Sequence, residues 1–143
     1  MDMTHYFESL GKRLDESIAT VRASDNENRQ QLQQRIEKAQ ADALHALDEI
    51  EQKTDKAADE ARSAWAHMRE DAARKMAEVK SKIDRRGEDI DANMASFDAD
   101  MAEADAVAAI DHANWAIDNA RLNVLYALDS RACAQQLRAK THA

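Results

Sequence analysis

The chain has 143 residues, a formal net charge of −8, no Pro and only two Gly, with 34% of its residues charged. That size suits one cooperative unit, and the charge balance excludes a concentrated basic surface for nucleic acid or anionic lipid. Strong helix formers dominate while β-branched and aromatic residues are few, so the expected fold class is all-α with narrow helix–helix seams rather than a thick core.

The lone Cys133 excludes an intrachain disulfide. The start, MDMTHYFESLGKRL, lacks the apolar core of a signal peptide, and no apolar run approaches membrane-spanning length. These features lead to the expectation of a cytoplasmic protein without membrane association.

In chain order, Tyr6, Phe7, Leu10, Leu14, Ile18 and Val21 recur at helical spacing and predict an amphipathic helix over 4–23. The stretch ASDNEN follows. Ser24 with Glu27 fits a capping box, and Asp25 or Asn26 offers another cap, so a break is expected before a helix over 26–86.

That long helix has a clear pattern. Met68, Val79, Ile90 and Met101 recur every 11 residues; Ala61, Ala72, Ile83 and Met94 form a second set; Trp65 and Met76 belong to a third. Three helical turns hold about 10.8 residues, so each step drifts only about 20° and all three sets share a face. Leu32, Ile36, Ala39, Ala43, Leu47, Ile50, Thr54 and Ala57 carry the stripe backward.

Gly87 stands between Arg85–Arg86 and Glu88–Asp89. Bases suit a helix C-terminus and acids the next helix's start, which points to a turn there; a continuous phase through Gly87 would move the turn to residues 98–105. A last helix is expected over 89–140. From Gly87 to Ala120 there are nine acids and no Lys or Arg. Asp91, Asp98 and Asp105 step by seven from Asp84, a column expected on a solvated face and able to meet a basic protein surface.

From residue 106 a second apolar sector opens, with Val107, Ile110, Ala113, Ile117, Val124 and Leu128. A helix apolar on two sides is enclosed or associates. The expected architecture is therefore an antiparallel coiled-coil-like hairpin of the two long helices, dimerising into an elongated four-helix bundle; a monomeric three-helix bundle is the alternative. Interface residues would be Trp65, Met68, Met76, Val79, Phe97, Met101, Ile110, Trp115, Ile117, Leu122, Val124 and Leu128. Asp111 and Asp118 sit between the apolar sectors as interhelical polar candidates, with Arg121 placed to pair Asp118. Asn114 or Asn119, if buried, would fix register.

Chemistry-bearing patterns are sparse. A carboxylate-bridged metal site needs Glu-x-x-His pairs, and the nearest approach is one Asp42-Ala-Leu-His45. His5, His67 and His142 read as solvated, Cys133 as a packing cysteine, and two glycines 76 residues apart cannot form a phosphate loop. No catalytic residue, metal or cofactor is expected. The leading expectation is a non-catalytic interaction module that binds itself or a basic protein surface. A lipid-surface helix and a metal-dependent bundle enzyme are the alternatives.

Overall fold

The computed structural model describes residues 2–85 and 91–142. Four helices occupy them: α1 (Met3–Ser24), α2 (Arg29–Lys56), α3 (Asp59–Arg85) and α4 (Ala92–His142). The chain divides into two units, Val21–Asp89 and Met1–Thr20 with Ile90–Ala143.

The first unit holds the one helix pair that packs together among the described residues, α2 on α3. The hairpin is antiparallel. Near its turn, the Lys53 ammonium lies 6.0 Å from the Trp65 ring centre. Farther along, Gln40, Leu44 and Leu47 share an open groove with Ala73, Met76, Ala77 and Lys80.

This hairpin corrects the expected helix over 26–86, which is divided at residues 57–58. Ala57 is extended, with φ −68° and ψ 146°, and donates its backbone N–H to the Thr54 carbonyl at 3.3 Å. The charges explain the break. Lys53 and Lys56 stand in the last turn of α2, and Asp59 and Glu60 in the first turn of α3. Each pair opposes the partial charge of its own helix end. Neither Gly nor Pro marks the site, so the long apolar stripe read straight across it.

The seam is thin. No apolar residue is fully buried among the described residues; Thr54, 5% exposed, is the most enclosed. Its hydroxyl donates to the Ile50 carbonyl at 2.8 Å, so its burial leaves that polar group satisfied. Leu32, Leu47, Ile50, Trp65, Ala72, Met76 and Ile83 are half-buried along the pair. The larger of these therefore gain only part of the roughly 1.5–3 kcal/mol that full burial of a large apolar side chain provides.

Side chains set the helix starts. Asp2 Oδ1 accepts the His5 N–H at 3.0 Å and opens α1. For α2 the capping box uses Asn28 and Gln31 rather than Ser24 and Glu27: Gln31 N–H donates to Asn28 Oδ1 at 2.9 Å, and Asn28 N–H to Gln31 Oε1 at 3.1 Å. Glu27 is instead paired with Arg35. Asp91 caps α4, accepting the Met94 N–H at 2.8 Å, so this member of the acidic column serves a helix end.

The turn expected at Gly87 lies outside the described residues. The alternative turn at 98–105 is absent, because α4 runs unbroken for 51 residues, a length of about 77 Å.

Candidate functional site

On α3, the interface candidates Trp65 and Met76 lie half-buried in the hairpin seam. Met68 and Val79 face outward, 47% and 51% exposed. The 11-residue pattern thus places its members on two adjoining strips, one used by α2 and one open. Lys53 over Trp65 and the exposed Leu44 in the groove belong to this pair as well; neither followed from the repeat, which registers apolar phase along one helix and not what crosses it.

The hairpin's charges are consumed locally. Lys38 meets Asp42 at 3.5 Å, and His45 meets Glu49 at 3.2 Å. The Asp42–His45 pair considered for metal binding is therefore split between two other partners. On α3, Asp71 lies 3.1 Å from Lys75 and also pairs with Arg74. The hydrogen bond from Lys75 and the charges of both bases hold its carboxyl below its ordinary value. His67 Nδ1 contacts the Ser63 carbonyl at 2.8 Å. Among the described residues no three His, Cys, Asp or Glu side chains converge as a metal site.

α4 differs. Phe97, Met101, Ile110, Trp115, Leu122 and Leu128 are all exposed, Trp115 at 62% and Leu122 at 65%. Ile117 and Val124 are half-buried, as are Ala120, Ala127 and Ala134. The enclosure expected of this helix is not supplied by α1, which does not pack on it among the described residues. α1 also leaves its own line of Tyr6, Leu10, Leu14, Ile18 and Val21 exposed.

The apolar residues of α4 form two sectors. At about 100° per residue, Met94, Phe97, Met101, Trp115, Leu122, Tyr126 and Leu137 fall within about 40° of one line. Ile110, Ile117, Val124 and Leu128 lie on nearly the opposite side. The helix consequently has no single apolar face.

Its polar candidates are solvated. Arg121 Nη2 meets Asp118 Oδ1 at 3.4 Å, with both side chains about two-thirds exposed. The expected pairing is present, without an interface over it in the single chain. Asp111 is exposed, as are Asn114 and Asn119. His112 stacks on Trp115 with ring centres 6.1 Å apart. Cys133, expected among packed residues, is exposed; its alanine neighbours made it look enclosed, but it projects from the side of Trp115 and Leu122. No helix is long and apolar enough to cross a membrane among the described residues.

No known protein family, curated protein or solved structure matches the chain. Its function has to be read from the surfaces themselves.

Proposed function

We propose that the chain is a non-catalytic helical interaction module that self-associates through α4. The observation carrying this reading is a 51-residue helix apolar on two opposite sides, with Phe97, Trp115, Leu122 and Tyr126 on one and Ile110, Ile117, Val124 and Leu128 on the other, and no helix packed on either among the described residues. Large exposed apolar surfaces mark association sites. An isolated helix also draws little stability from propensity alone and is strengthened by a neighbour along its length.

The hairpin is the other part of the module. Its seam faces inward and its acids and bases neutralise one another, which makes it a spacer or platform for α4. A basic protein surface is a competing partner for the acidic half of α4, where the exposed Asp98, Asp100, Glu103 and Asp105 cluster.

Light scattering on the full chain tests the reading. A mass of twice the 16.0 kDa chain, or a higher multiple, is the expected result at about 100 µM. A mass equal to one chain at that concentration overturns it.

A further inference from the structure

α4 is charge-segregated. From Ala92 to Ala120 it carries six acids and no Lys or Arg; from Arg121 to His142 it carries Arg121, Arg131, Arg138 and Lys140 against the single acid Asp129. The other helices have no such division. α2 and α3 interleave both signs, with Lys38 against Asp42 and Asp71 against Arg74 and Lys75.

The segregation has a mirror point. Asp98 and Asp105 are seven residues apart, as are Arg131 and Arg138. Asp98 and Arg138 are equally distant from residue 118, and so are Asp105 and Arg131. Three alanine pairs share that centre: Ala102 with Ala134, Ala109 with Ala127, and Ala116 with Ala120. All ten residues fall within about 40° of a single line along the helix. The half-buried Ile117 and Val124 border this line on one side.

We infer that this face is an antiparallel seam with a second copy of the chain, centred at residue 118. The inference rests on the self-association proposed above and specifies its geometry. In this arrangement Asp98 and Asp105 of one copy meet Arg138 and Arg131 of the other, and the two-fold axis repeats both pairs. An in-register parallel arrangement sets Asp98 against Asp98 and Arg131 against Arg131, placing like charges together. Antiparallel packing also opposes the two helix dipoles.

Steric fit supports the same choice. Alanine at the centre lets the helices approach to about 8 Å, close enough for the Arg side chains to reach across. Ile117 and Val124 flank the contact on one side and add larger apolar side chains to its alanines. From Asp98 to Arg138 the seam is about 60 Å long, and a strip about 10 Å wide gives roughly 600 Å² per copy, the lower end of the range for a stable interface. Asp111 and Asp129, which would be close like charges, lie on the opposite side of α4 from this line. The Trp115–Leu122 side remains open for a further neighbour.

Cys133 supplies a native reporter. It is exposed, and it lies away from the seam. Spin labels on Cys133 of the full-length dimer should be separated by about 45 Å, since 30 residues of helix rise lie between them in the antiparallel register. A separation under about 25 Å in a dimeric sample overturns the antiparallel seam while leaving self-association standing. A monomer by light scattering overturns both.

Charge exchange gives a second test. The variants R131D/R138D and D98R/D105R should each self-associate about tenfold more weakly than the natural chain, with helicity retained. Mixed, they should form a heterodimer of near-natural affinity, because all four interhelical pairs are restored. Unchanged homodimers, or no recovery on mixing, overturn the proposed register.

Discussion

The α2–α3 hairpin and α4 solve the same problem in opposite ways. Both are rich in Ala and charged residues, and both carry large apolar side chains at helical spacing. The hairpin folds back on itself, hides Thr54, half-buries Trp65 and Met76, and pairs its charges within a turn or two. α4 keeps its apolar sectors on opposite sides and concentrates its acids and bases in opposite halves, with Asp118 and Arg121 paired where the halves meet. The lesson is that charge arrangement, more than apolar content, separates the self-contained hairpin from the helix proposed to associate.

The largest effect should come from attacking that difference on α4. Replacing Ile117 and Val124 together by Asp would place charges beside the seam. Association should weaken by more than about 100-fold, a loss on the scale of an interface hot spot. Sedimentation equilibrium measures it; the urea midpoint of the hairpin should stay unchanged. Equal damage to both would erase the distinction between the two regions.

The reciprocal change is Trp65→Ala. It removes a half-buried ring and the Lys53 contact and should cost the hairpin about 2 kcal/mol, less than a fully buried Trp would. Urea denaturation reads this loss, while dimer affinity should hold. A drop in affinity would show that the hairpin supports the α4 surface directly.

A smaller effect tests the turn. Ala57 already has the extended backbone required before a proline. Ala58→Pro should therefore be neutral or stabilise by up to about 1 kcal/mol. A continuous helix through this point would lose about 3 kcal/mol to the same proline.

The smallest effect concerns pH. Lys75 and Arg74 lower the Asp71 pKa, so its stabilising contribution is present above the ordinary carboxylate pKa of about 4 and is lost as pH falls through the lowered folded value. Thermal midpoints of the natural chain and Asp71→Asn should differ slightly at pH 7 and converge below about pH 4. A gap that persists at lower pH would assign the effect to packing instead.

Much of this contrast was legible in the residues. Composition carried the all-α class, the capping residues of ASDNEN the break after α1, and helical periodicity the two sectors of α4. The acid–base pair Asp118–Arg121 followed from its three-residue spacing. The turn at 57–58 did not emerge, because Ala57 and Ala58 are good helix formers and the apolar stripe keeps its phase through them. The signal was present in Lys53 and Lys56 followed by Asp59 and Glu60, the same arrangement that drew attention to Gly87. The α2 cap was placed too early because Ser24–Glu27 and Asn28–Gln31 both satisfy the capping-box spacing. The pairing of Glu27 with Arg35, eight residues away, removes Glu27 from that choice.

The extended backbone at Ala57 also makes the hairpin legible to a protease. Trypsin requires an unwound strand beside Lys or Arg, and between residues 29 and 85 the bond after Lys56 is the place where a base meets non-helical chain. Limited digestion should nick the hairpin there first. Among the described residues the two halves would then be joined by the thin seam around Leu47, Trp65 and Met76, and their staying together or parting would measure that seam without changing a single side chain.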